Sequence, residues 1–190
     1  RGPHVFLGYY KNEAATRETL DGEGWLHSGD VGVIDEDGFL KVTDRIKELI
    51  ITSGGKNIAP QMIEGKLKAI PGIGQAVALG DRKNFVAALL TVDPERLPGA
   101  AALAGSPAKT PEEAVQCPRF RAFVEAKVDE VNQSLARYES VRKHVLLPTQ
   151  LTVEGGELTP TMKLKRRVIN QKYAAEIDAL YSGAAAAGAG

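Results

Sequence analysis

The chain has 190 residues, and its 24 Lys and Arg balance 24 Asp and Glu, giving no net charge and a pI of about 7.0. That balance excludes the basic footprint of a nucleic-acid binder and the charge excess of an acidic tail. One cysteine, Cys117, cannot form an internal disulfide or a thiolate metal site, which fits a reducing compartment. No apolar run reaches the ~20 residues that span a bilayer, and the length suffices for one or two domains with a sizeable core.

The sequence opens on Arg1 and enters strand-like residues almost at once, so a fragment of a longer protein is expected. Residues 1–10 (RGPHVFLGYY) read as a short strand. Asn12 caps a helix running to about Leu20, with Glu13 near its positive end. Asp21-Gly22-Glu23-Gly24 is a turn, and Trp25 to Ser28 resumes as a strand. Val31–Ile34 and Phe39–Val42 flank Asp35-Glu36-Asp37-Gly38, a hairpin in which Asp37-Gly38 supplies the positive φ. Leu49–Thr52 is a β-rich run that Ser53-Gly54-Gly55 breaks; two adjacent glycines allow positive φ and close approach of another molecule. Pro60 then sits where a helix would begin.

Gln61 to Ile70 reads as that helix, closed by Pro71-Gly72. Gln75–Gly80 and Phe85–Val92 are short buried strands joined by Asp81-Arg82-Lys83-Asn84. Residues 94–111, rich in Ala, Gly and Pro, read as a loop. Phe120, Phe123, Val124, Val128, Val131 and Leu135 recur at helical spacing. Val145–Leu147 is a strand ending at Pro148, Glu154–Glu157 is a turn, and a basic helix is expected from Met162 to about Tyr181. The Ala/Gly tail at 183–190 has no side chains to bury and is expected to be disordered. Irregular mixing of strands and helices indicates an α+β fold.

Phosphate loops are excluded by spacing: Gly55-Lys56 is followed by Asn57 rather than Ser or Thr, and Gly72-Ile73-Gly74 lacks a third glycine because Val77 holds that place. Three polar residues stand out instead. Asp30, beside Gly29 at a strand end, is either a turn cap or an acceptor for sugar hydroxyls. Arg45 is either a surface ion pair or a planar fork for a diol or phosphate. Lys163 is either one charge of a solvated helix, with Lys165, Arg166 and Arg167, or an ammonium that neutralises charge developing on a carboxylate or phosphate.

Taken together, GWLHSGDVG (24–32), DGFLKVTDRIKELIITSGGKNIAP (37–60) and GELTPTMKLKRR (156–167) resemble three ordered motifs of the adenylate-forming acyl-CoA synthetases. That superfamily includes luciferase and the adenylation domains of peptide synthetases. The match runs from Gly2 to about Tyr181. Ser28 stands where many members have threonine. Met162 stands where a glycine is common, and Thr-Pro-Thr-Met-Lys with the insertion after Asp93 resembles the long-chain fatty acyl branch.

The resemblance implies a β-rich remnant of a large domain at 1–43 and a small mobile C-terminal α+β domain at 44–182, with a short mixed or antiparallel sheet flanked by helices. It implies ATP, Mg2+ and CoA as cofactors or co-substrates, and a fatty acid as acyl donor, with the metal site in the upstream part. By the match, Asp30 and Arg45 bind the ribose hydroxyls, and Lys163 is the catalytic lysine between carboxylate and α-phosphate. Asp44 and Lys47 belong to a hinge, and Ser53, Gly54 and Gly55 line the CoA tunnel after the small domain rotates. This part alone is expected to be inactive without its own large N-terminal domain. A ligase for aryl or short-chain acids, or a non-catalytic regulatory module of the same fold, are the alternatives. Further expectations are no nucleic-acid partner, a cytoplasmic location with peripheral membrane contact as an option, and self-association through the open strand edges of 1–43.

Overall fold

The computed structural model describes residues 1–182, and the expectation of a disordered tail lies outside them. The chain forms two compact units, residues 1–49 and the residues from Ile50 onward. The division falls downstream of Thr43/Asp44, because the second hairpin strand runs on to Arg45 and Ile46 N donates to Gly29 O at 2.8 Å.

The first unit holds helix α1 (Glu13–Thr19) and a hairpin of β1 (Asp30–Ile34) and β2 (Leu40–Arg45). Asn12 Oδ1 accepts Ala15 N at 3.1 Å, the expected cap, and Gly38 takes φ 86° in the hairpin turn. Two expected strands do not form. Gly2 O accepts Val5 N in a turn, and Tyr9 N donates to Thr16 Oγ1, so residues 1–10 run without a strand partner. Trp25 to Ser28 contributes a single bridge, Leu20 to Leu26, because Asp21 Oδ1 captures Glu23 N and Trp25 N at 2.9 Å each. Val33, Ile34, Phe39, Leu40 and Val42 are exposed within this unit, and Asp44 is its one buried side chain among the described residues.

The second unit opens with a two-residue ribbon, β3 (Ile50–Ile51) against β4 (Asn57–Ile58). Helix α2 (Pro60–Lys68) follows with Pro60 in its first turn, where the missing N–H costs nothing. β5 (Ile73–Leu79) pairs antiparallel with β6 (Val86–Val92), and β7 (Val141–Leu147) lies parallel on the far side of β6. The span read as a loop contains α3 (Leu97–Leu103), and α4 (Pro111–Gln116) precedes the long helix α5 (Pro118–Gln133). α6 (Arg166–Lys172) and α7 (Ala174–Tyr181) close the chain.

Period-two alternation sorts the sheet into two cores. Val86, Ala88, Leu90 and Val92 of β6 pack with Ile63, Leu67, Phe120 and Val124 from α2 and α5. Ala87 and Leu89 face Ile169, Tyr173 and Leu180 from α6 and α7. With both faces covered, β6 is buried at every position and reads as a continuous apolar run. The fold is α+β, a small mixed sheet flanked by helices, as the sequence indicates.

Candidate functional site

In the first unit, the hairpin register sets Asp30 opposite Arg45, and Arg45 Nε lies 3.0 Å from Asp30 Oδ1. Gly29 with φ 73° turns the chain into β1, and a bulge between Val31 and Gly32 twists the ribbon. A Cβ at Gly32 would come within 3.1 Å of the Lys41 carbonyl oxygen, so glycine there lets the two strands approach without a shift of the backbone. Both charged groups keep an exposed edge, with the arginine more open than the carboxylate. A carboxylate and a planar donor fork side by side can accept from and donate to adjacent hydroxyls of one sugar.

Asp44 is 2 % exposed, and its Oδ1 accepts Arg45 N at 2.7 Å, which fixes the backbone where β2 ends. A single 3-10 turn, Ile46–Glu48, carries Lys47, whose ammonium reaches Glu18 at 3.4 Å on the surface. Exposed pairs of this kind contribute little and release easily.

In the second unit, Ser53, Gly54 and Gly55 form the tip between β3 and β4. Thr52 N donates to Lys56 O at 3.1 Å, and Lys56 N donates to Thr52 Oγ1 at 3.1 Å. The tip is tied to the β5–β6 turn by Ser53 N to Lys83 O at 2.9 Å and Ser53 Oγ to Asn84 Oδ1 at 2.7 Å. Gly55 takes φ 72°, and a Cβ there would meet nothing within 4 Å. The backbone at the tip is thus held rigidly, while its outer side is open to a ligand.

Lys163 sits in a second tight turn. Leu158 and Leu164 form an antiparallel bridge, and Thr159 N donates to Lys163 O at 2.8 Å. Lys163 N donates to Thr159 Oγ1 at 3.0 Å, and Met162 closes the turn with φ 61°. The basic helix expected from Met162 therefore begins only at Arg166, because residues 158–164 spend their hydrogen bonds on the turn. Lys163 is exposed, and its ammonium makes no ion pair among the described residues.

Two ion pairs brace the base of this turn. Arg166 Nη1 lies 2.9 Å from Glu64 Oε1, and Arg166 Nη2 donates to Glu64 Oε2 at 3.0 Å. Glu64 is buried on α2 and also accepts Ala78 N at 2.8 Å. Glu157, buried at the other side of the turn, pairs with Lys172 and accepts Thr152 N. Burial pushes the Glu157 carboxyl up, but Lys172 and the backbone donors outweigh it and hold it below the usual range. Arg166 is thus half-buried against a buried carboxylate rather than a solvated helix charge. Sequence reading missed Glu64 and Glu157; the only signal was a lone glutamate on the apolar face of a predicted helix.

The structure therefore brings together Asp30 with Arg45, and sets the Ser53–Gly55 tip and the Lys163 turn each on its own rigid base. A family model described as the AMP-binding enzyme C-terminal domain matches residues 47–185. The chain belongs to that family. This AMP-binding C-terminal domain chain is 45% identical over 190 residues to the long-chain-fatty-acid–CoA ligase FadD15 of Mycobacterium tuberculosis, covering 96% of this chain and 30% of the relative. It is 42% identical over 201 residues to the long-chain-fatty-acid–CoA ligase ACSBG2 of Gallus gallus, covering 96% of this chain and 26% of that one. The chain thus spans under a third of the length of these relatives. Among solved structures, the adenylation domain of a carboxylic acid reductase from Segniliparus rugosus, in complex with AMP and a co-purified carboxylic acid, shares the fold with TM-score 0.76. Its identity is 22%, over 96% of this chain and 27% of that one.

Proposed function

We propose that this chain is the C-terminal portion of a long-chain fatty acid–CoA ligase that works through an acyl-adenylate. The observation that carries this reading is the 45% identity to a long-chain-fatty-acid–CoA ligase across 96% of the chain. In the first half-reaction a carboxylate oxygen attacks the α-phosphorus of ATP and pyrophosphate leaves. In the second, the CoA thiolate attacks the acyl carbonyl and AMP leaves. Asp30 and Arg45 hold the ribose hydroxyls, and Lys163 offsets the charge of the two anions as they approach. The Ser53-Gly54-Gly55 tip presents its open backbone to the pantetheine chain in the second step. A lysine and a thiol channel cannot occupy the same reacting atoms at once, so the segment around Asp44 and Lys47 turns between steps.

Mg2+ would arrive with the nucleotide and screen its phosphates. Among the described residues no group of three or more His, Cys, Asp or Glu could hold a metal ion, so no step is assigned to it. The partner of this part in that reading is the large domain of the same protein, in a cytoplasmic setting with peripheral membrane contact as an option. No helix among the described residues is long and apolar enough to cross a membrane. Without the large domain this chain exposes Phe39, Leu40 and Val42, and self-association is the expected result. Sedimentation at rising concentration reads it, and a monomer throughout would contradict it.

The test of the reading is Lys163→Ala in the full-length enzyme, with each half-reaction timed separately. Adenylation should fall by about 10²–10³, the typical loss of one preorganised electrostatic partner. Reaction of supplied acyl-adenylate with CoA should be nearly untouched. An unchanged adenylation rate removes Lys163 from the mechanism.

A further inference from the structure

Glu64 lies far from Lys163 in sequence, yet its carboxylate grips the first residue of the helix that follows the lysine turn. Arg166 opens α6, and a cation at the positive end of a helix is misplaced unless an anion faces it. Glu64 supplies that anion with both oxygens, at 2.9 and 3.0 Å. The pair is closed further by β5: Ala78 N donates to Glu64 at 2.8 Å, and Arg166 donates to Ala78 O at 3.3 Å.

α6 has 7 residues, too few to hold its own ends in place without tertiary anchors. The turn before it hangs from its start, since Lys165 N donates to Glu157 O at 2.7 Å and Leu164 bridges to Leu158. A bidentate fork fixes both distance and plane, so it sets where α6 begins and hence where the lysine turn ahead of it is held.

We infer that Glu64 is a positioning residue for Lys163, acting through Arg166. The inference rests on the ligase reading above. Glu64 is buried, and its carboxylate holds the lysine turn against β5 and α2. Glu64→Gln keeps the shape and an oxygen that can still accept Ala78 N, but removes the charge and the second acceptor that orient the fork. Displacement of a reacting group by about 1 Å costs up to about a hundredfold in rate, so a fall of about tenfold to a hundredfold is expected.

The experiment compares Glu64→Gln, Lys163→Ala and the double variant in the full-length enzyme, with both half-reactions timed and KM for ATP and acid measured. The expected result is a lower adenylation kcat for Glu64→Gln, with KM and the rate of supplied acyl-adenylate with CoA close to wild type. In the Lys163→Ala background, Glu64→Gln should cost nothing further, because its effect passes through the lysine. Arg166→Lys, which keeps the charge and loses the fork, should give a smaller loss and covers the case in which Glu64→Gln fails to fold. Equal losses in both half-reactions, an additive loss in the double variant, or no loss at all would overturn the inference. Unchanged adenylation in Lys163→Ala alone would instead sink the ligase role of the lysine itself.

Discussion

Met162 holds φ 61° and is 59% exposed, so it accepts a left-handed conformation without gaining much packing in return. An L-residue there costs roughly 1–2 kcal/mol, part of which glycine would return through its greater freedom when unfolded. Met162→Gly should therefore raise stability by about 0.5–1 kcal/mol, read as a higher urea midpoint with an unchanged slope. A lower midpoint would mean that the methionine packs usefully after all. The neighbouring arginine shows where sequence reading stops at this scale. Lys165, Arg166 and Arg167 look alike in the chain, but Arg166 alone meets a carboxylate 102 positions away, and no local pattern announces such a partner. Asp30 and Arg45 were only half legible: the Asp37-Gly38 turn alone would set Asp30 opposite Asp44, and the bulge between Val31 and Gly32 shifts the register by one so that it meets Arg45.

Elements with a local cause were legible: the Asn12 cap, the hairpin turn, Pro60 opening α2 and the apolar spacing of α5. α4 also has a local cause. Thr110-Pro111-Glu112-Glu113 is a capping signature, with Thr110 Oγ1 accepting Glu113 N at 3.3 Å. α3 has no such signal, and Arg96 anchors its start by donating to the Lys68 and Ile70 carbonyls at the end of α2. The brace beneath the lysine turn carries a pH signature. Glu157 titrates below its ordinary 4.5, so its contribution is in place above that value and is lost as the pH falls through the lowered one. Lys172, held above 10.5 chiefly by its bond to Glu157, loses its share only as the pH rises through the raised value. Burial is the main cause that holds His144 below its ordinary 6.5; Arg121 adds to it, while Glu125 and Asp129 oppose it. The folded form thus resists a proton that the unfolded chain takes, and stability should decline as the pH falls below about 6.5. Urea midpoints across pH separate the two groups: His144→Gln should flatten the decline from about pH 7 to 5, and Glu157→Gln only the part below about 4.5. A profile unchanged by both substitutions would contradict these assignments.

At the scale of the molecule, the sequence announces strands but not their neighbours. β7 lies parallel to β6 because α3, α4 and α5 carry the chain back over one face, a long crossover invisible in a list of strands. The two compact units meet in the chain just after Lys47, within the segment that links hairpin to sheet domain. If this segment turns between the two half-reactions, as proposed, Lys47→Pro in the full-length enzyme should separate them. Lys47 lies in a 3-10 turn whose φ proline accepts, so the substitution should hold the segment rather than unfold it. Acyl-adenylate should form at close to the normal rate, while transfer to CoA falls by orders of magnitude. Equal losses in both steps, or a thioester step left intact, would contradict a pivot at Lys47.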